Sequence, residues 1–270
     1  IEPGEPGSQP PRLRVFDADG RPRWSRDLPD GGTASGDIVT VGDLDGDGRL
    51  ELFVDVAEAG MIAAFDCTGQ PLGGHWPAQV GGLNLGKTVA DLDRDGVPEL
   101  IAYGSVAGAD QTTTSLLAVV NADGSVRQRW TFPGAIPRVD TPRVFAAVGD
   151  LDDDPELEIV AIVRGTDVAM FDLREPAGPV WRTGTEGSLY GSPVIGDITG
   201  DHRGNVVVGA YDSRTAGKPG THGGIYVFDR TGRLLPGWPV LNDQSFPATP
   251  ALADVDGDGI VRVLPPSQPN

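Results

Sequence analysis

Between two apolar runs, the chain carries the nine-residue segment Asp43-Leu-Asp45-Gly-Asp47-Gly-Arg49-Leu-Glu51. Its side chains place carboxylates at positions 1, 3, 5 and 9. Alternate carboxylates converge on one hard cation only if the backbone curls around it, and glycine at position 6 permits that turn. Position 7, Arg49, adds its backbone carbonyl. The segment therefore predicts an all-oxygen Ca²⁺ site, which we call loop one.

Two later segments repeat this pattern, and we call them loops two and three. Loop two keeps glycine at position 6, whereas loop three keeps all four carboxylates but carries Pro155 at that position. We expect a metal ion in both. The predicted ligands, with the carbonyls at position 7, are Asp91, Asp93, Asp95, Val97 and Glu99 in loop two, and Asp150, Asp152, Asp154, Glu156 and Glu158 in loop three.

Two degenerate copies, loops four and five, follow. Loop four retains oxygen atoms at the ligand positions but has only two carboxylates and Arg203 close by, so we expect a weak or empty site. Loop five has three good ligands and Arg262 where the fourth carboxylate should be. Either Arg262 points away and water completes the shell, or the site is impaired. The predicted ligands are Asp197, Thr199 and Asp201 in loop four, and Asp254, Asp256 and Asp258 in loop five. Over the whole chain we expect three or four Ca²⁺ ions.

The loops have two other possible interpretations. An EF-hand needs a glutamate at its twelfth position, but that position holds Val54 in loop one and Ala102 in loop two. An aspartate-rich turn without metal is the second alternative. It is weak for loops one and two, where unneutralised carboxylates would repel one another, and strongest for loop four.

A second motif interleaves with the loops: an apolar run that ends in Phe-Asp or its equivalent, a turn, and then a tryptophan. Asp or Asn followed by Gly three residues later is typical of a β-hairpin turn. Since a tryptophan recurs in every unit, we interpret it as a core residue that packs one unit on the next. The five tryptophans are Trp24, Trp76, Trp130, Trp181 and Trp238.

The two motifs together predict an all-β fold of repeated four-stranded antiparallel units. Successive loops begin 47 to 59 residues apart, a period typical of propeller blades. Residues 12–24 supply only the second half of a unit and residues 246–264 only the first half. Joined, these halves complete one blade closed by both termini, so five blades are the economical count. The alternative is a fragment of a longer, seven-bladed ring.

Length and charge limit the possible organisation and partners. The sequence predicts a Pro/Gly-rich linker at 1–11, a single domain at 12–264 and a Pro-rich tail at 265–270. The net charge of −18 argues against nucleic acid and anionic membranes as partners. No apolar stretch approaches the roughly 20 residues of a membrane helix, and no signal peptide is recognisable. The single cysteine, Cys67, excludes an intrachain disulfide, and we expect it to be buried or half-buried at a strand end.

The loops resemble those of the FG-GAP or VCBS-type repeat propellers, best known from the integrin alpha-subunit head. The segments Gly191-Ser-Pro193 and Ala248-Thr-Pro250 are similar to that family's Gly-Ala-Pro element before the first strand. The resemblance covers residues 12–264 and implies structural calcium between the first two strands of each blade, with ligands at the opposite face or the rim. The departures are the blade count, Pro155, and the lost carboxylates of loops four and five.

The functional hypothesis is a calcium-stabilised binding or adhesion module, expected to be monomeric, for a protein or carbohydrate ligand. An extracellular or cell-surface location follows, because extracellular modules bind Ca²⁺ with dissociation constants of about 10⁻⁴ to 10⁻³ M, too weakly to fill in the cytosol. The longest predicted connections, 104–115 and 211–224, are candidates to contact the ligand.

Two alternatives to this hypothesis stay open. The first is a polysaccharide-cleaving enzyme, a lyase or a glycosidase. It is disfavoured because calcium or hairpin turns account for nearly every acidic pair, and because the histidines form no catalytic or metal-binding pattern. These are His75, His202 and His222. The second is a structural spacer domain of a surface protein.

Overall fold

The structure, a computed structural model, describes residues 12–28, 39–56, 60–107, 113–133, 144–152, 154–211, 223–242, 246 and 248–265. These residues form strands and turns, and they include no helix long and apolar enough to cross a membrane. The predicted linker 1–11 lies outside them, as do the predicted tail after residue 265 and most of the connection 211–224.

The described strands form six antiparallel sheets, which we number in chain order. Sheet one contains β1 (Arg12–Phe16) and β2 (Pro22–Asp27). Sheet two contains β3 (Thr40–Gly42), β4 (Glu51–Val56), β5 (Met61–Phe65) and β6 (Ala78–Gln79). Sheet three contains β7 (Leu83–Ala90), β8 (Glu99–Ala107), β9 (Thr113–Val120) and β10 (Val126–Pro133).

The second half of the chain repeats this arrangement. Sheet four contains β11 (Ala147–Gly149), β12 (Glu158–Val163), β13 (Asp167–Phe171) and β14 (Trp181–Gly184). Sheet five contains β15 (Ser188–Leu189), β16 (Val194–Gly196), β17 (Asn205–Tyr211), β18 (Gly223–Phe228) and β19 (Val240–Asn242), and both β15 and β16 pair with β17. Sheet six contains β20 (Ala251–Ala253) and β21 (Arg262–Leu264). The all-β class with four-stranded antiparallel sheets is therefore as the sequence predicts.

The hydrophobic core lies between successive sheets. Strand β8 is buried on both faces: Leu100 and Ala102 pack with sheet two, whereas Ile101 and Tyr103 pack with sheet four. This is the alternation of side chains that a β-strand imposes. The hydroxyl of Tyr103 also donates a hydrogen bond to the backbone carbonyl of Ile162 in β12. The sheets therefore stack face to face in chain order.

The first strands of neighbouring sheets approach each other closely. A Cβ at Gly42 in β3 would lie 2.7 Å from a methyl group of Val89 in β7. A Cβ at Gly196 in β16 would likewise lie 2.7 Å from a methyl group of Leu252 in β20. Only glycine permits so close an approach. The loops that follow these strands are thereby held along one edge of the stack.

The prediction that tryptophans pack one unit on the next is confirmed for four of them. Trp130 packs on Phe171, with ring centroids 5.2 Å apart. Three others donate their indole N–H to a backbone carbonyl in the next hairpin turn: Trp24 to Cys67 at 3.1 Å, Trp76 to Ala122 at 2.9 Å, and Trp181 to Arg230 at 2.8 Å. The expectation for Cys67 was wrong, since its side chain is exposed. It lies in the turn after β5 rather than in the strand.

The sheets at the two ends of the described chain, sheet one and sheet six, have only two strands each. Among the described strands, sheet one and sheet six do not pair with each other. Both carry exposed apolar side chains, including Phe16 at 54 % and Leu264 at 41 % exposure. The joining of the two half-units into one sheet therefore stays a prediction.

Candidate metal centre

Loops one, two and three each connect the first and second strands of a sheet. The pairing of these two strands brings the two ends of each loop together. Gly42 pairs with Glu51, Ala90 with Glu99, and Gly149 with Glu158. Because each pair spans its loop, the position-1 aspartate, which directly follows the first strand, lies beside the position-9 glutamate. The sheet thus brings both ends of the ligand pattern together.

The residue at position 9 also holds the loop in shape. One of its side-chain oxygens accepts a hydrogen bond from the backbone N–H at position 2. The pairs are Leu44 to Glu51 at 2.8 Å, Leu92 to Glu99 at 3.0 Å, Leu151 to Glu158 at 2.6 Å, and Ile198 to Asn205 at 3.1 Å. The three leucines are buried and anchor the loops in the core. Each position-9 carboxylate therefore has one oxygen fixed by the backbone of its loop, and only the other oxygen is left for further contacts.

Loop one brings three carboxylates together. One oxygen each from Asp43, Asp45 and Glu51 lies within 4.8 Å of the others. Both oxygens of Asp43 accept backbone N–H groups, from Gly46 and Gly48 at 2.9 Å each. These bonds curl the backbone around the group, as a hard cation with oxygen ligands requires.

Loop two has the same geometry with a cation beside it. Oxygens of Asp91, Asp93 and Glu99 lie within 4.8 Å of one another. The guanidinium of Arg127, in β10, lies 2.8 Å from both Asp93 Oδ2 and Glu99 Oε1. An arginine from the far strand of the same sheet therefore partly neutralises this group.

Loop three gathers a larger and different group. Oxygens of Asp152, Asp154, Glu158 and Asp172 lie within 4.8 Å of one another, and Asp172 comes from the turn after β13. The position-1 residue, Asp150, is not in this group, and it accepts a hydrogen bond from Arg94 of loop two at 3.1 Å. The converging carboxylates of loop three therefore lie nearer to the hairpin after β13 than those of loops one and two do.

Burial raises the pKa of the position-9 carboxyl groups. This holds for Glu51 and Glu99, and it raises the pKa of Glu158 to about 7. The neighbouring aspartates add to the effect because like charges disfavour ionisation. A bound divalent cation would lower the pKa of these carboxyl groups and so oppose both effects, since it favours the charged form of its ligands. The electrostatics are those of a cation site.

The residues of loops one to three fit Ca²⁺. Their side-chain donors are oxygens only, which suits a hard cation. In addition, Glu158 is fully buried and, within the described part of the chain, its Oε1 has no hydrogen-bond partner. A buried carboxylate oxygen without a partner is costly, and a metal ion would satisfy it. The side chains that would hold the ions are the converging carboxylates of loops one, two and three.

Loops four and five differ from these. Within the described residues, neither contributes a group of three converging carboxylates. In loop four, Asp201 and Arg203 line an open cleft of about 380 Å³ that also borders Asp229. In loop five, Arg262 turns toward the loop and lies 3.1 Å from Asp256 and 2.8 Å from Asp258. Arg262 therefore does not point away from loop five, and the impairment of this metal site stays a prediction.

The sequence prediction included several residues that lie beside the converging groups rather than in them. Asp47 and Asp95 each accept the backbone N–H of position 7, at 2.8 Å. It stays a prediction that the second oxygens of these two aspartates bind the metal ion. The same is true of the backbone carbonyls of Arg49, Val97 and Glu156. The same holds for all the loop-four and loop-five positions.

Sequence reasoning missed Asp172, Arg127 and Arg174. Each lies in or next to the hairpin after the third strand, which the antiparallel register places beside its loop. A signal was present: Asp172 belongs to the Phe-Asp motif, but no glycine follows it three residues later as in the other units.

Comparisons with known proteins show the fold. No protein-family model and no curated protein sequence matches the chain. Solved structures of similar fold include the two that follow. The biofilm matrix protein Bap1 of V. cholerae is 14 % identical, with a TM-score of 0.56 over 90 % of this chain and 60 % of that one. The C-terminal domain of Pseudomonas aeruginosa PilY1 is 13 % identical, with a TM-score of 0.51 over 97 % of this chain and 67 % of that one. This chain thus spans about 60 % of the Bap1 structure.

Proposed function

We propose that this chain is a calcium-stabilised β-propeller that acts outside the cell as a binding or adhesion module. The observation that carries the proposal is a group of converging carboxylates at the same place in three consecutive sheets. Each group lies between the first and second strands, where a Ca²⁺ ion would tie the two strands together. Bound ions would also offset part of the net charge of −18.

The propeller is of the FG-GAP or VCBS type, with each four-stranded sheet as a blade. The face-to-face stacking of sheets two to five in chain order supports this arrangement. We propose that sheets one and six join as a fifth blade through β21 and β1. The exposed Phe16 and Leu264 support the joining, because apolar side chains on an unpaired strand favour a partner. The rival is a ring with more blades than this chain supplies.

The partner is proposed to be a protein or a glycan. In a propeller whose calcium loops occupy one edge, the opposite face and the rim are free to contact it. The similarity in fold to a biofilm matrix protein supports an extracellular place of action. The calcium loops support it as well, because millimolar calcium fills sites that cytosolic calcium leaves empty.

The experiment that tests the proposal is a binding screen. The calcium-loaded chain is applied to a glycan array and to immobilised extracellular polysaccharides, and bound protein is quantified with and without a chelator. A chain in which the segment 212–222 is replaced by a short Gly/Ser linker serves as the matched variant. We expect saturable binding that the chelator weakens and that the shortened connection reduces.

The alternatives predict different results. A spacer domain binds nothing in the screen, and a polysaccharide-cleaving enzyme releases unsaturated or reducing-end products from it. Product release that survives Asp43→Asn and Asp91→Asn would replace the binding module with the enzyme.

A further inference from the structure

Loop three differs from loops one and two in which residues converge. Pro155 stands where they have glycine, and the position-1 aspartate is directed to Arg94 instead of the cluster. Asp172 takes the place of Asp150 in the cluster.

The antiparallel register explains how Asp172 arrives there. Ile159 in β12 pairs with Phe171 in β13, so the next residue, Asp172, lies beside Glu158. The corresponding residue of sheet two, Asp66, is committed to its own turn, where Oδ1 accepts the N–H groups of both Thr68 and Gln70 at 2.8 Å. The hairpin after β13 lacks the Asp-x-x-Gly turn. Asp172 Oδ1 still accepts the N–H of Arg174 at 2.7 Å, and its carboxylate also faces loop three.

A separate observation indicates that the cluster takes a ligand. Glu158 is 0 % exposed, and its Oε1 has no hydrogen-bond partner among the residues that the structure describes. Its Oε2 already accepts the N–H of Leu151. A buried, unsatisfied carboxylate oxygen beside three other carboxylates is one that a bound cation would satisfy.

Arg174 is the cation now beside the cluster. Its guanidinium contacts Asp154, lies 2.5 Å from Asp172 Oδ2 and 3.7 Å from Asp152 Oδ2, and reaches Glu156 at 3.4 Å. It thus touches three of the four carboxylates that would bind a metal, but not Glu158. Its side chain is 47 % exposed, so a short rotation would carry it into solvent.

We propose that loop three binds Ca²⁺ through Asp152, Asp154, Glu158 and Asp172 in exchange for Arg174. In the metal-free protein the guanidinium holds the aspartates together, and the arriving ion displaces it because both need the same oxygens. This inference rests on the proposed calcium-binding function. Its consequence is a graded response: loop one, whose cluster pairs with no arginine among the described residues, fills first, and loop three fills at higher calcium.

The test is a Ca²⁺ titration by calorimetry, starting from the metal-stripped full chain. Arg174→Gln is expected to tighten the weakest site by at least about tenfold, since an opposite charge this close stabilises a carboxylate by about one pKa unit or more and the arriving ion must displace it. Asp172→Asn is expected to remove one site from the stoichiometry. The matched control is Arg182→Gln, which removes the same charge from the same sheet but from a pair with Asp167. It is expected to leave both quantities unchanged.

A spectroscopic readout guards against variants that fail to fold. The Nε–H resonance of Arg174, assigned by its loss in Arg174→Gln, is expected to move to a solvent-exposed position in the last step of the titration. If the wild-type chain takes up no calcium, the proposed function fails and this inference with it. If it takes up calcium but Arg174→Gln binds as the wild type does and the Arg174 resonance stays in place, only this inference is overturned.

Discussion

The ammonium of Lys87 in β7 lies against the carboxylate of Asp55 in β4, with side-chain exposures of 0 % and 1 %. This ion pair joins sheets two and three inside the stack. Removing one member of a buried pair leaves the other charge without its partner in a low-dielectric environment, which is far more costly than losing an exposed pair.

We therefore predict that Lys87→Met lowers the free energy of unfolding by about 3–5 kcal/mol. The double variant Lys87→Met/Asp55→Leu should recover much of this loss, because it removes both charges. The control is Arg12→Met at the exposed Arg12–Asp27 pair, where about 0–1 kcal/mol is expected. Urea denaturation at constant calcium measures all three, and equal losses for Lys87→Met and Arg12→Met would contradict the account.

A second prediction concerns pH in the metal-free protein. The pKa of Glu158 is raised to about 7 from an ordinary value of 4.5, chiefly by burial. Between these values the folded state binds more protons than the unfolded state, so unfolding free energy should fall as the pH rises from about 4.5 to 7. Glu51 and Glu99 contribute in the same direction.

Calcium should reverse this trend, because it binds the deprotonated carboxylates. The difference in melting temperature between calcium-loaded and resin-stripped protein is thus expected to grow from pH 5 to pH 7. Glu158→Gln should flatten the metal-free slope, whereas the exposed control Glu175→Gln should not. Metal-free stability that rises over this window would show that these glutamates are not protonated in the folded state.

A third prediction tests the five-bladed ring. In sheet two, Phe53 pairs with Ala64. Alignment of the loops and of the Phe-Asp motifs makes Leu264 and Val15 the equivalent positions in sheets six and one. In a Cys67→Ser background, Leu264→Cys and Val15→Cys should form an intramolecular disulfide under mild oxidation. Mass spectrometry of the monomer reads this out.

The control for the ring is Val15→Cys combined with Val255→Cys, because Val255 lies exposed in loop five. This pair should stay reduced. A folded monomer that retains both thiols in the Leu264/Val15 variant would favour the larger ring, in which the two end sheets meet other blades.

Much of the strand pattern was predictable from local sequence. The apolar runs that follow loops one and three predict strands at 52–56 and 157–163, and the structure has strands at Glu51–Val56 and Glu158–Val163. These runs are short, apolar and bounded by aspartate-glycine or proline turns, so local chemistry alone defines them. The convergence of the carboxylates in loops one and two was predictable too, because each loop motif is a short local segment.

The contacts between strands distant in sequence were not predictable. Lys87 and Asp55 are 32 residues apart, and only the stacking of two sheets makes them partners. Asp172 and Arg174 reach loop three through strand register, which a single loop motif does not contain. Asp150 accepts a hydrogen bond from Arg94, which lies in the loop of the neighbouring sheet and is 56 residues away in sequence. These features depend on tertiary packing rather than on sequence spacing.

The central claim, structural calcium in loops one to three, is tested most directly by thermal unfolding of the resin-stripped chain as CaCl₂ is added. Each site filled at about a hundredfold excess over its dissociation constant adds about 2.7 kcal/mol. For a domain of this size that is roughly 5–10 °C per site. Asp43→Asn and Asp91→Asn should each reduce the gain, and Asp201→Asn in loop four should not. At about 10 mM calcium, a ten- to hundredfold excess over dissociation constants of about 10⁻⁴ to 10⁻³ M, the account predicts a rise of at least about 8 °C from three sites. An unchanged melting temperature up to about 10 mM, well above the dissociation constants of extracellular calcium modules, would contradict it.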